Sequence, residues 1–267
     1  MSKEKQIYDH YYGLDLLRGI SGYGVAVCHF YAFIYNNIFF EYLSFIFVEF
    51  FFVLSGFVLY PQLLKIIENK KNLLIFYRRR WLRTLPLYFI CLIIISLMFN
   101  KMLTLDFLKY FLFIQDIVPG FLEISYFPVV WSLSIEEFFY LLFPIFLILI
   151  NKKNFIKKII YFFLLIFVIK IFFIDNFDSN FLRTGTFFRF DAILLGFILR
   201  HIYLEINFYQ SMILTLIFLF LYLFFQDFLL VNKDQMLVKF SFLILLQLLS
   251  SSVLIFFLNI ENFTRFK

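Results

Sequence analysis

The sequence predicts an all-α bundle of about eight to nine membrane-spanning helices, and three observations carry that prediction. The first is composition: 63% of the 267 residues are hydrophobic and 16% are charged, with a mean hydropathy of +0.91. An average soluble domain is roughly 45–50% apolar and about 25% charged, so too few polar groups remain here to coat a globular surface. The second is the recurrence of apolar runs near the roughly 20 residues that a bilayer-crossing helix needs. The third is the placement of lysine and arginine, which gather in alternate connections as cytoplasmic loops do.

In order, the candidate spans are residues 14–35, 40–64, 81–99, 131–150, 156–174, 185–204, 209–227 and 236–258. A shorter run at 105–118 is interrupted by Asp106, Lys109, Gln115 and Asp116, and reads as a re-entrant or interfacial helix or as a short ninth span. Lys3 and Lys5 precede the first span. Lys65, Lys70, Lys71, Arg78, Arg79, Arg80 and Arg83 stand between the second and third. Lys152, Lys153, Lys157 and Lys158 follow the 131–150 span, and Arg200 and His201 end the 185–204 span. The stretches 36–41 and 116–130 contain no Lys or Arg. This asymmetry puts the N-terminus and the basic loops in the cytoplasm. Eight crossings then require 100–130 to begin and end outside, which favours the re-entrant reading of 105–118.

The net charge of +6 fits this loop bias better than a nucleic-acid partner. Cys28 and Cys91 lie in apolar runs without metal-like spacing. Part of the excess of Phe, with 46 residues, is compatible with A/T-rich codon usage. The first apolar stretch reads as a retained helix rather than a signal peptide, because Asp15, Arg18 and His29 lie within it.

Ionisable residues inside spans are costly, and they are where function is sought first. Arg18 and His29 are eleven residues apart, about three helical turns, so they share a face at a separation of roughly 16 Å. Gly19, Ser21, Gly22 and Gly24 make the same helix small-sided and open to close approach. His29 alone reads equally as a residue that hydrogen-bonds a neighbouring helix. Ser55-Gly56 reads as a packing notch, since Ser55 lacks the glycine-flanked turn of a catalytic serine. Arg79, Arg80 and Arg83 fall within helical i, i+3, i+4 reach, a cluster suited to phosphate capture or to plain anchoring at lipid headgroups. Glu136 and Glu137 begin an apolar helix and point about 100° apart, so one can face the bundle and the other the interface. Glu136 and His29 both fall towards the outer half, where a carboxylate-oriented histidine would make a general base. Arg189 and Asp191 read either as an interfacial ion pair or as lining one cavity.

Taken together, these motifs resemble acyltransferase family 3, the bacterial-type membrane O-acyltransferases. The resemblance rests on Arg18 and His29 with ten residues between them, Phe51-Phe52-Val53-Leu54-Ser55-Gly56-Phe57, Arg79-Arg80-Trp81-Leu82-Arg83 with Pro86, Trp131-Ser132-Leu133-Ser134-Ile135-Glu136, and Arg189-Phe190-Asp191 with Gly196. It implies transfer of an acyl group, commonly acetyl, from acyl-CoA to hydroxyls of cell-surface glycans or lipids. It implies His29 as the catalytic histidine with Arg18 as its partner, and Arg79, Arg80 and Arg83 as holders of the CoA phosphates. Glu136 matches the motif acid and is preferred to Glu137. Ser55, Trp131, Arg189 and Asp191 fall in the remaining motifs, as substrate-binding or supporting residues. No metal and no permanently bound cofactor are expected. Acyl-CoA is the donor co-substrate, the other partners are the acceptor and membrane lipids, and the location is a bacterial plasma membrane.

Ser21 stands where the family usually has Ala. The family also continues into at least one more terminal helix, so residues 1–267 are expected to form one membrane domain lacking that helix. The expected chemistry is removal of an acceptor proton by neutral His29, with a covalent acyl-histidine left open. Two rivals stand beside it: a transporter or flippase of an anionic substrate such as a glycolipid, and an inactive remnant.

Overall fold

The computed structural model describes residues 11–150, 154–202, 206–232 and 235–265. Lys3, Lys5, Lys152 and Lys153 of the charge argument lie outside the described residues. Ten α-helices run through the described chain: α1 Tyr12–Tyr35, α2 Ile38–Glu68, α3 Asn72–Met98, α4 Leu105–Phe111, α5 Trp131–Leu149, α6 Phe155–Phe173, α7 Ser179–Thr184, α8 Phe190–Ile202, α9 Phe208–Val231 and α10 Met236–Arg265. A 3₁₀ turn, Pro128–Val130, leads into α5, and no strand occurs among the described residues. The chain is an all-α, multi-pass membrane helical protein.

Five segments are long and apolar enough to cross a membrane: Phe39–Glu68, Asn72–Met98, Pro128–Leu149, Phe208–Phe225 and Met236–Ile260. α1 and α6, also expected as spans, fall outside that set. Both are long enough, but α1 carries Asp15 and Arg18 and α6 carries Lys157, Lys158 and Lys170. The expected 185–204 span is also outside that set. Its helix, α8, is described over 13 residues, about 20 Å at 1.5 Å per residue. The third span also begins earlier than expected, at Asn72, so the arginine cluster lies inside the helix and not in a loop. Half of the 105–118 run is helix, the seven residues Leu105–Phe111, and the rest is mostly turns and bends.

The chain divides into two compact units, residues 1–61 with 192–267 and residues 62–191. Each has its own core. In the first, Leu14 and Leu17 of α1 pack with Ile46, Phe50, Val53, Leu54 and Phe57 of α2, Tyr222 of α9, and Leu246, Leu249, Val253 and Leu254 of α10. In the second, Tyr88 and Leu92 of α3 pack with Tyr110, Tyr126, Phe127 and Val130.

Hydrocarbon tails are as apolar as leucine, so helices in a bilayer associate through close packing at small residues rather than by escaping water. The first unit does this at the backbone. A Cβ on Gly56 would lie 1.8 Å from the Ile193 carbonyl oxygen, and a Cβ on Gly196 would lie 1.8 Å from that of Val53. Each helix thus presents its glycine to the other's backbone, and α2 and α8 touch main chain to main chain. The packing notch expected at Ser55-Gly56 is present. α1 meets α10 similarly, with the Phe257 carbonyl oxygen 1.9 Å from a Cβ placed on Gly13.

Gly56→Ala or Gly196→Ala should therefore force α2 and α8 apart and destabilise the protein by about 3 kcal/mol or more, measured as thermal unfolding in detergent. Gly19, with nothing within 4 Å of a built Cβ, supplies the contrast. Gly19→Ala should stabilise by about 0.5–1 kcal/mol through helix propensity.

Candidate functional site

In the first unit, α1 is one unbroken helix from Tyr12 to Tyr35, so the spacing of Arg18 and His29 on one face holds. Arg18 is exposed and donates to Asp15 at 2.9 Å. His29 is half-buried and Ser21 fully buried. Ser55 is half-buried on α2.

Arg200, expected as a cytoplasmic-loop charge at the end of its span, is instead buried. Its guanidinium lies 4.9 Å from the Tyr11 ring centre and 4.7 Å from that of Phe57. Aromatic faces carry partial negative charge, which is how a cation is tolerated there. Next to it, the Tyr60 hydroxyl and His201 Nδ1 share a hydrogen bond of 2.7 Å.

The second unit holds the arginine cluster and the paired carboxylates. Arg78, Arg79 and Arg83 are exposed, whereas Arg80 is 8% exposed. Arg80 lies over the Tyr140 ring at 4.9 Å and the Phe76 ring at 5.8 Å, and donates to Gln62 at 3.5 Å. The three arginines of the motif therefore do not present a common surface: Arg79 and Arg83 point outward and Arg80 inward. The carboxylates also separate, as residues 100° apart must. Glu136 is half-buried and accepts from the Tyr140 hydroxyl at 3.0 Å. Glu137 is 5% exposed and accepts from the Thr84 hydroxyl at 2.9 Å.

Sequence reasoning passed over Glu137 in favour of Glu136. The signal was available in the helical spacing: Glu137 follows buried Ser134 by three residues and precedes buried Pro144 by seven, along the inward face of α5.

Asp191 forms an ion pair with Lys170. Lys170, Asp191 and Arg189 are 2%, 0% and 1% exposed, so all three lie inside the protein. Lys170 was missed, although a lysine within an apolar run is itself a signal. Removing one partner of a buried pair strands the other charge, at a cost of about 3–5 kcal/mol, while replacing both by apolar groups is often neutral. Lys170→Met and Asp191→Leu should each cost that much alone, and the double variant should recover most of it in the same unfolding assay.

Trp131 is buried at the start of α5, with the Arg183 guanidinium 5.6 Å from its ring centre. The segment between α4 and α5 is anchored by Asp106. Its carboxylate accepts from the backbone N–H groups of Glu123 and Ile124, at 3.1 and 3.0 Å, and from Lys109 at 3.1 Å. Burial pushes the Asp106 carboxyl up, but these donors outweigh it and hold the group below its ordinary value.

Helix α4 ends in a Schellman turn. Ile114 N–H reaches the Lys109 carbonyl at 2.9 Å and Phe113 N–H that of Tyr110 at 3.0 Å. The left-handed position in this turn, normally glycine's, is occupied by Phe113 at φ 61°, a strain of roughly 1–2 kcal/mol. The Phe113 ring is held by stacking on Tyr88, 4.5 Å between centres.

Two residues on, Gln115 donates to Ser134, and the Asp116 carbonyl accepts from Thr186 N–H at 3.0 Å. Burial raises the Asp116 carboxyl to about 6, partly countered by Arg183. An acid whose folded-state value lies above its unfolded value loses stability as pH rises from about 4 to about 6. Asp116→Asn should therefore stabilise above pH 6, by up to about 3 kcal/mol, and change little below pH 4, as read by unfolding at the two pH values.

Comparison with known proteins follows this geometry. A family model for an acyltransferase domain matches residues 11–266. Among curated proteins, the O-acetyltransferase OatA of Staphylococcus aureus strains NCTC 8325, COL and MRSA252 is 31% identical over 216 residues, covering 72% of this chain and 34% of the relative. The chain thus spans about a third of the length of the curated relatives it matches. No solved structure gives a significant match.

Proposed function

The chain belongs to acyltransferase family 3, and on that premise we propose that it moves an acyl group, most simply acetyl, from acyl-CoA to a hydroxyl of a cell-envelope glycan or lipid. The observation that carries this reading is the family match over residues 11–266, with Arg18 and His29 set on one unbroken helix inside it. The similar Staphylococcus protein is named an O-acetyltransferase, which supports acetyl as the group and oxygen as the acceptor.

The reaction balances with residues of this chain alone. The acceptor oxygen attacks the thioester carbonyl as its proton passes to neutral His29. The new C–O bond forms, the C–S bond breaks, and the CoA thiolate leaves and takes a proton. His29 is suited to this because an imidazole can take up and release a proton near neutral pH. Arg18 acts with His29 in the first-helix motif, and Glu136 supplies the motif's acid. Arg79 and Arg83, exposed on α3, offer the planar forks that match phosphate oxygens, and are the residues we assign to the CoA phosphates. Arg80 charges the same helix from its buried side. The lysine and arginine bias of the connections supports a cytoplasmic position for these groups, on the side where a nucleotide-bearing donor is present.

His29→Ala in full-length protein, incubated in membranes with labelled acetyl-CoA, should lower transfer to glycan or lipid by about 10²- to 10⁴-fold, the usual contribution of a positioned base. The amount of inserted protein should be unchanged. Transfer undiminished in His29→Ala sinks the assignment of the base. Wild-type membranes that take up label without transferring it point instead to a transporter.

A further inference from the structure

Between α3 and α5 lies a cavity of about 160 Å³ lined by Trp81, Leu85, Leu112, Phe113, Glu137, Phe138 and Leu141. Six of its seven walls are apolar, and the seventh is the buried carboxylate of Glu137. One oxygen of that carboxylate accepts from Thr84, and the Trp81 indole N–H lies close to the carboxyl group. The other oxygen, Oε2, is buried without a hydrogen-bond partner. A buried carboxylate oxygen with no donor costs free energy that a satisfied one does not, so the cavity is built with one acceptor to spare. The wall opposite is also built at a cost, since Phe113 holds its place in the left-handed backbone region.

The size and charge of the cavity define its occupant. An apolar cavity of about 150 Å³ takes one benzene-sized group. The ligand's buried end therefore has about six or seven heavy atoms, mostly carbon, with one donor for Glu137. A neutral hydroxyl supplies that donor at a far lower desolvation cost than a cation entering an apolar cavity. The rim residues Leu112 and Leu141 are 50% and 39% exposed and offer no polar entry, so the ligand approaches from hydrocarbon.

We infer that this cavity binds the hydroxyl-bearing end of a membrane-dissolved lipid alcohol, whose O–H donates to Glu137 while its first carbons fill the space between Trp81, Phe113 and Phe138. The inference stands apart from acyl transfer and does not require it.

Trp81 is one of only two tryptophans in the chain, so Trp131→Phe leaves a single reporter in the cavity wall. The full chain is placed in lipid nanodiscs and titrated with 4-bromobenzyl alcohol, which quenches indole fluorescence on contact. Saturable quenching is expected, and hexadecanol should relieve it about tenfold more effectively than hexadecyl methyl ether, the worth of one buried hydrogen bond. In Glu137→Gln the preference for alcohol over ether should shrink severalfold. Quenching that rises linearly without saturation, equal displacement by alcohol and ether, or tighter binding of 4-bromobenzylamine than of the alcohol overturns the proposal. The comparison of alcohol with ether needs no change at Glu137, so it stands even if Glu137→Gln does not fold. Activity is not read, so failure here leaves the acyltransferase reading untouched, and loss of that reading leaves this result standing.

Discussion

The fold of the first unit depends on two glycines that face each other's backbone. Gly56 and Gly196 let α2 and α8 meet at their carbonyl oxygens, Ile193 on one side and Val53 on the other. In hydrocarbon, contact area and small-residue packing replace the hydrophobic drive that would hold such helices together in water. The consequences reach the polar residues around the crossing. Phe57, next to Gly56, supplies one of the two rings that hold Arg200, and Tyr60, one turn further along α2, bonds His201. The 13 described residues of α8 are thus held by a glycine crossing and by aromatic side chains that tolerate its charge.

The second unit also sets a buried cation, Arg80, against aromatic rings. Other buried ionisable groups there are met by oppositely charged or hydrogen-bonding groups from other elements. Lys170 of α6 meets Asp191 of α8, Thr84 of α3 meets Glu137 of α5, and Asp106 of α4 binds the backbone at 123–124. Isolated charges in an apolar medium are expensive, and paired ones are tolerated when the remaining acceptors are filled. The turn after α4 shows the same economy of placement. It spends backbone strain to put an aromatic ring against Tyr88.

Much of the architecture was legible because membrane helices announce themselves by length and apolarity. Residues 40–64, 131–150 and 236–258 are contained in or nearly coincide with observed helices. The Ser55-Gly56 notch was legible because small residues in an apolar run have few other uses. The end of a helix was harder to read. The predominantly apolar run from 185 to 204 looks like a span, yet the chain turns at 186–189 and α8 begins only at Phe190. The orientation of neighbouring charges was hardest. Arg79, Arg80 and Arg83 are alike in sequence, and only the packing of Tyr140 and Phe76 decides that Arg80 turns inward. Glu136 and Glu137 were separable in principle by helical angle, but a motif match favoured the half-buried residue over the buried one. Lys170 went unread because its partner, Asp191, is distant in sequence.

One further consequence follows from Thr84. Its hydroxyl lies 2.9 Å from Glu137 Oε1 and 3.2 Å from the carbonyl oxygen of Arg80, yet a hydroxyl has one hydrogen. Two acceptors thus share a single donor, and a rotation of the O–H moves it from one to the other. A molecule that brings its own hydrogen to Oε1 of Glu137 releases Thr84 to bond the carbonyl one turn back along α3. The exchange leaves the number of hydrogen bonds in α3 and α5 no lower than before, and it couples what occupies the space beside α5 to how tightly α3 is wound at Arg80.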